Sequence, residues 1–428
     1  MSIAGPEARN VDGLVDHLFR HSAGQIVSSL TRVFGPADLE LVEDAVQEAM
    51  EKALRHWPFR GIPDNPGGWL FAVARNAALD KVRHRFRRAD AASQIVALME
   101  AKLEQMPMPV LAREIADDQL RMIFTCCHPA IPADARVALT LKTVGGFGVR
   151  EIARAFLADE RTVAQRLVRA KQRIREQRIP FTVPEPDELG ERLRSVLDVL
   201  YLMFNDGYDA LDGDSVVRRD VCAEALRLVE IVAEHPDSGL PETRALAALI
   251  CFQAARFPAR QDPAGDLLLL SEQDRSSWDR ALIERGARHM ECAADGDNLT
   301  TFHVEAGIAA CHAVAPSFDE TDWHAILGYY DTLVRLADSP VIVLNRAVAV
   351  AMVEGPAAGL AALEAVVGHP ALRRYYLLPA TRGEFHRRLD EPVRARRYFE
   401  EALEISGAAP VRRFLQRRIA ALTPAENR

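Results

Sequence analysis

Long apolar runs are missing from this sequence. The stretch SPVIVLNRAVAVAMVEG is interrupted by Asn345 and Arg346, and nothing reaches the roughly 20 residues that a membrane-spanning helix needs. The N-terminus has no apolar signal core and carries Glu7, Asp12 and Asp16, so the expected location is cytoplasmic. Cysteine is scarce, and Cys126, Cys127, Cys222, Cys251, Cys292 and Cys311 form no C-x-x-C pair. That excludes a disulfide scaffold and fits reduced thiols. Strand-like alternation is scarce, which removes sheet-based folds. An overall positive charge is lacking too: the 428-residue chain has a formal net charge of -8.

The charge that is present is unevenly divided. Residues 1–180 hold 26 Lys/Arg against 22 Asp/Glu, and residues 181–428 hold 27 against 39. A mildly basic front joined to an acidic back implies two tasks, the first on nucleic acid. Apolar residues recur at three- and four-residue spacing almost throughout, so the expected fold is all-α. Turn formers interrupt the pattern at FGPAD around Pro36 and at WPFRGIPDNPGG from Trp57 to Gly68. The organisation expected is a helical unit at 10–88, a linker at 89–116 containing a helix-stopping PMP, a second unit at 117–179, and a helical extension at 187–428. The boundary at the extension is marked by Pro180, Pro184 and Pro186. From about residue 320 the extension looks repetitive: Pro356 falls on Pro392 when NRAVAVAMVEGPAAGLAALEAV is laid over TRGEFHRRLDEPVRARRYFEEAL, at tetratricopeptide-like spacing.

Three helices carry chemistry. EDAVQEAMEKALRHW has a core stripe of Val46, Ala49, Met50, Ala53 and Trp57. Asp44, Gln47, Glu48 and Glu51 share another face, which reads either as a solvated surface or as a dock for a basic partner helix. GWLFAVARNAALDKVRHRFRR turns Phe71, Ala78, Leu79, Val82 and Phe86 to a core. Asn76, Asp80, Arg83 and Arg87 follow at i, i+4, i+7 and i+11, with Trp69 on the same side. Cations for phosphates and a ring for an unstacked base suit melted nucleic acid, although a basic helix end also complements the helix dipole. VREIARAFLADERTVAQRLVRAKQRIRE reads as a helix–turn–helix. Ile152, Ala153 and Phe156 anchor its first helix, Asp159 caps the second, and Val163, Leu167, Ala170 and Ile174 form the buried stripe. Arg161, Thr162, Gln165, Arg166, Arg169 and Arg173 face outward, residue types that read guanine and adenine edges in the major groove.

In order and spacing, these segments resemble regions two and four of bacterial RNA polymerase sigma factors of the extracytoplasmic-function (ECF) type. TCCHPAIPADARVALTLKTVGGF, LYLMFNDGYDALDGD, TDWHAILGYYDTL and SPVIVLNRAVAVAMVEGP are similar to the subgroup with a long C-terminal extension containing tetratricopeptide-like repeats. The resemblance implies a promoter-specificity subunit rather than an enzyme, with no cofactor. Asp44, Gln47 and Glu48 match positions that dock on the β′ clamp of core RNA polymerase, with Glu51 beside them; the β flap is the other contact implied. Trp69, Arg75, Asn76, Asp80 and Arg83 match the region that opens the minus-ten element, with the Pro58–Gly67 loop contributing. Arg161, Thr162, Gln165, Arg166 and Arg169 match the readers of the minus-thirty-five element, with Arg173 beyond them. The extension would be regulatory and would take a small soluble protein partner. The alternative is a stand-alone helix–turn–helix regulator with a sensor tail.

Other constellations read as structural. CCHP at Cys126–Pro129 lacks a second pair of zinc ligands. FNDGYDALDGD has Asn205, Asp206, Asp209, Asp212 and Asp214 but no glutamate closing a calcium loop, since its twelfth position is Val216. It reads as a tight turn with Gly207 in an unusual backbone conformation. His303, Glu305 and His312 lie on one helical segment with no nucleophile nearby.

Overall fold

Helical periodicity becomes helix. The computed structural model describes residues 22–86, 99, 101–102, 112–155, 158–208, 219–407 and 409–422. Among these there is no strand, only an isolated bridge between Gln261 and Leu267. The chain divides between Leu202 and Met203 into two compact units.

The front unit begins with α1 (22–34), a 3-10 turn at Pro36–Asp38, α2 (Leu39–Arg60) and α3 (Pro66–Phe86). In α2, Leu39, Val42, Ala45, Val46, Ala49, Ala53 and Trp57 are buried and Met50 is half-buried. This stripe packs on Leu70, Phe71, Ala74, Ala78, Leu79 and Val82 of α3, where each full burial of a large side chain contributes roughly 1.5–3 kcal/mol. Phe86 has no described side chain. The expected break at Trp57 comes later: α2 runs through Pro58 to Arg60 and stops at Gly61, whose φ of 82° and ψ of 159° favour glycine. Proline is tolerated there because only one carbonyl, that of exposed Leu54, loses its helical donor. Asn65 opens α3, its side chain accepting from the Gly68 amide at 2.9 Å.

The second half of this unit holds α4 (Ala112–Cys126), α5 (Ala133–Thr143), α6 (Val149–Ala155), α7 (Glu160–Glu176) and α8 (Pro186–Tyr208). Helix α4 therefore starts within the expected linker, most of which lies outside the described residues, as does Phe156. Asp159 caps α7, accepting from the Arg161 amide at 2.7 Å. The stripe Val163, Leu167, Ala170 and Ile174 is buried as its spacing predicts. The CCHP segment ends α4. Its carbonyls are taken by α8: Arg192 donates to Phe124 O at 2.9 Å and Ser195 Oγ to Cys127 O at 2.6 Å. Arg136 ties Ser195 Oγ (2.8 Å) to the carbonyls of Pro129 (3.0 Å) and Ile131 (2.6 Å). Burial pushes the Cys127 thiol up to about 12, so both buried cysteines act as small apolar residues.

The back unit continues with α9 (Arg219–Glu234), α10 (Pro241–Ala254), α11 (Arg280–Ala293), α12 (Thr301–Val314), α13 (Trp323–Leu336), α14 (Pro340–Val353), α15 (Pro356–Leu363), α16 (Leu377–Arg388), α17 (Pro392–Ile405) and α18 (Ala409–Ala421). Helix α10 is buried almost all round and is packed by α9, α11 and α12. Gly286 of α11 is there for closeness: a Cβ would lie 2.7 Å from the Phe252 ring. Beyond it, α14 pairs with α15 and α16 with α17. Pro356 and Pro392 each open the second helix of a pair, where proline's missing N–H costs nothing. The expected turn at Gly207 is corrected: Gly207 lies inside α8, and no positive φ is found there. The helix is drawn on by Tyr208, which stacks on Phe204 (5.6 Å) and tilts against Phe257 (5.9 Å). Asp209, Asp212 and Asp214 lie outside the described residues.

Candidate nucleic-acid interface

Packing α2 against α3 leaves an open groove of about 540 Å³ on one side of the hairpin. Glu48 and Lys52 line it from α2, and Val73, Asn76, Ala77, Asp80, Lys81 and His84 line it from α3. Glu48 of the acidic face of α2 and the polar residues Asn76 and Asp80 of α3 thus meet at one groove. Asp44, Gln47 and Glu51 are exposed and Glu48 is half-buried. Local cations partly neutralise them: Lys52 lies 2.8 Å from Glu48, Arg55 3.7 Å from Glu51, and Lys81 3.8 Å from Asp44. The hydrogen bond from Lys52 holds the Glu48 carboxyl below its ordinary range, which favours its ionised form. Asn76, Asp80 and Arg83 are exposed along α3, and Arg83 pairs with Asp80 at 3.1 Å. Arg75 is half-buried and reaches Asn76 Oδ1 at 3.4 Å. Arg87 lies outside the described residues.

At the end of the hairpin, Trp69 is half-buried with its ring edge-on to Trp57, centroids 5.6 Å apart. Buried Trp57 fixes where Trp69 stands. Between them, the last turn of α2 exposes Phe59 at 88% and the following loop exposes Ile62 at 58%. Apolar side chains this open offer a stacking surface, and both belong to the Pro58–Gly67 stretch expected to contribute to the minus-ten contact.

Helix α7 presents the second surface. Arg161, Thr162, Gln165, Arg169 and Arg173 are exposed, and among the described residues their side chains have no hydrogen-bond or ion-pair partner. Arg166 is held by Asp134 at 3.1 Å. The flank of α7 away from this face meets the α1–α2 segment. Lys171 pairs with Glu43 Oε2, Thr143 Oγ1 donates to Glu43 Oε1 at 3.1 Å, and Arg175 reaches the Ala37 carbonyl at 3.4 Å. Nearby, a Cβ on Gly24 of α1 would stand 1.9 Å from the Val144 carbonyl. Sequence reasoning missed Glu43, Thr143 and Lys171, since pairs 100 and 128 residues apart leave no periodic signal.

The remaining clusters are accounted for by packing. Among the described residues one group, Glu230, Cys251 and His289, brings candidate metal-ligand atoms within 4.8 Å of one another. Arg285 already lies 2.8 Å from Glu230, and Arg244 approaches His289 Nδ1 at 3.3 Å. Burial, with Arg244, Arg285 and Arg288 close by, pushes His289 down to about 4. A cation entering there would face these guanidiniums, so the cluster reads as a polar network within the core. His303 accepts from the Thr300 amide at 3.2 Å, and His312 packs edge-on to Trp323 at 5.3 Å.

Comparison with known proteins matches these surfaces to families. Residues 18–88 match sigma-70 region 2, residues 121–174 match sigma-70 region 4, and residues 192–294 match a family of unknown function, DUF6596. An uncharacterised protein of Rhizobium meliloti (strain 1021) is 37% identical over 395 residues, covering 92% of each chain. A protein named as a probable ECF RNA polymerase sigma factor, SigI, of Mycobacterium tuberculosis (strain ATCC 25618 / H37Rv) is 27% identical over 169 residues, 40% of this chain and 57% of that one. No solved structure matches the chain significantly.

Proposed function

We propose, from the premise that this chain belongs to the ECF-type sigma factors with a C-terminal extension, that its hairpin and its helix–turn–helix share one transcription start site. Asp44, Gln47, Glu48 and Glu51 dock on the β′ clamp of core RNA polymerase, and the second unit of the front half lies toward the β flap. Trp69, Arg75, Asn76, Asp80, Arg83 and Arg87 engage the minus-ten element. Unstacking a base costs a few kcal/mol, and a ring surface already placed by Trp57, together with Phe59 at the end of α2, offsets it. Arg161, Thr162, Gln165, Arg166, Arg169 and Arg173 read the minus-thirty-five element, each good bidentate contact discriminating by roughly 1–3 kcal/mol. The factor acts by binding alone, in the cytoplasm. The extension, with its tetratricopeptide-like helix pairs, is the regulatory part and offers a surface for a small soluble protein.

The observation that carries this reading is the row of side chains on α7 that have no partner among the described residues, together with the acidic face of α2. A protein maintains five polar side chains in water without internal partners at little cost, but their single face and residue types fit a phosphate-lined groove. The test is run-off transcription with core polymerase. Initiation at a defined start that depends on this protein supports the reading. Tight sequence-specific DNA binding without polymerase, and no effect on initiation, would favour the stand-alone regulator.

A further inference from the structure

The acidity of the back half stops before its end. Residues 181–370 hold 14 Lys/Arg against 32 Asp/Glu, whereas residues 371–428 hold 13 against 7, every cation an arginine. The last helices, α16 to α18, are thus a basic island on an acidic body.

Several of these arginines are already paired. Arg387 grips Glu384 with two bonds (3.0 and 2.7 Å), Arg394 holds Glu391 (3.2 Å), and Arg396 lies 3.9 Å from Glu400. Arg382 of α16 and Arg397 of α17 have no hydrogen-bond or ion-pair partner among the described residues. Both gather on one ring: their guanidinium carbons lie 4.4 Å and 5.9 Å from the centre of Tyr398. His386 lies parallel to the same ring at 5.3 Å and is bonded to Glu391 at 2.6 Å. Glu391 is therefore engaged twice.

The repeat shows what the second helix pair lacks. With Pro356 laid on Pro392, Arg346 of α14 falls on Arg382 and Ala362 of α15 on Tyr398. Arg346 is neutralised by Asp331 of α13 at 2.6 Å. In the second pair the arginine is kept, the carboxylate is not, and a ring stands where the first pair has a methyl group. Nε of Arg382 is sealed from water with no acceptor, while its terminal nitrogens are not sealed. A guanidinium lying on a ring keeps its fork in a fixed orientation. Such a fork fits a carboxylate through two parallel N–H···O bonds.

We propose that Arg382, held on Tyr398 and seconded by Arg397, receives a carboxylate side chain of an acidic peptide. The ligand supplies for the second pair what Asp331 supplies for the first. The proposal deepens the reading of the extension as the regulatory part and rests on it. A peptide fits better than nucleic acid: two arginines on one ring make a point site, and a long polyanion would also meet the acidic body that carries it.

The probe is a short fluorescein-labelled peptide of alternating glutamate and alanine, with a glutamine version as control. Each is titrated with the full-length protein at low salt and followed by fluorescence anisotropy. The glutamate peptide is expected to bind and the glutamine one not, with binding falling as salt rises. Arg382→Ala is expected to weaken binding by about tenfold or more, and Arg382→Lys to recover only part of it. Arg397→Glu, at an exposed position, is expected to weaken binding without moving the melting temperature. Arg396→Ala on the same helix is expected to leave binding unchanged. No binding, or equal binding of the two peptides, overturns the proposal. So does unaltered binding in both Arg382→Ala and Arg397→Glu. An oligonucleotide that binds the full chain and is lost with Arg397→Glu would assign the site to nucleic acid and equally overturn it. Polymerase and promoter are absent from this titration, so failure of the sigma reading shows in run-off transcription and failure of this site in the anisotropy.

Discussion

The arginines of α7 and those of the back unit are the same residue put to opposite uses. On α7, Arg161, Arg169 and Arg173 project from one face with no partner among the described residues. In the back unit, arginines close helix ends. Arg275 donates to the carbonyls of His312 (2.6 Å) and Ala315 (2.8 Å) and to Thr321 Oγ1 (3.1 Å). Arg412 takes the carbonyls of Leu403 (2.6 Å) and Ser406 (3.0 Å), and Arg260 that of Tyr208 (2.7 Å) while covering its ring at 3.7 Å. Arg413 pairs with Asp266, and Arg418 reaches Glu272 at 3.3 Å, tying α18 to the loop before α11. A count of cations therefore says little about where an acidic ligand would bind. The presence or absence of a partner within the chain says more.

The largest effect expected from this contrast is on truncation. A chain ending at Pro184 loses Arg192 and Ser195, which satisfy α4's carbonyls, and with them the buried Leu193, Val196, Leu197 and Leu200. At roughly 1.5–3 kcal/mol per buried side chain, this rivals the 5–15 kcal/mol that holds a typical domain together. The helix–turn–helix of such a chain is expected to melt far below that of a chain ending at Tyr208, as followed by circular dichroism. Equal melting of the two would show that α8 is not part of that fold. Next, Arg275→Ala strands three acceptors and is expected to lower stability by about 2–4 kcal/mol. Arg169→Ala is expected to leave the melting temperature unchanged and to weaken promoter use by about 1–3 kcal/mol in a sequence-dependent way. A uniform loss over all promoters would make Arg169 a phosphate contact.

Smaller effects sharpen the contrast. Asn76→Ala is expected to spare polymerase binding and to slow opening of linear promoters, followed with a fluorescent base at the start site; normal opening would remove Asn76 from the melting surface. Three histidines give a pH signature. Burial and nearby arginines push His128 and His289 down to about 4 and His312 down to about 3, from an ordinary 6.5. The folded chain holds them neutral, so their contribution is complete above pH 6.5 and is lost as pH falls from there toward 4, and toward 3 for His312, because the unfolded chain binds protons the folded one refuses. A denaturant midpoint that does not fall over this range would contradict these environments.

Much of this was legible in the sequence because it is local. The stripes of α2, α3 and α7 follow helical period, and Asp159 is a cap recognisable from its neighbours. Helix ends were read less well where long-range packing decides them. Pro58 did not stop α2, because Trp57 anchors its last turn in the core. Gly207 did not make a turn, because Tyr208 joins the Phe204 and Phe257 rings. The joint between α7 and α2 had no signature at all, since Glu43 and Lys171 look like ordinary members of charged helices until the fold brings them together. The same holds for Arg192, whose partner carbonyl at Phe124 is set by chain path rather than residue type.

The most direct measurement of the central claim is initiation itself. Core RNA polymerase is combined with the full-length protein, or with a variant carrying Asp44→Lys and Glu48→Lys, and run-off transcripts are mapped. The account predicts transcripts from a defined start with the unmutated protein, and loss of both transcripts and polymerase association with the charge-reversed one. Polymerase association that is indifferent to these reversals, or no protein-dependent start on any promoter, would contradict it.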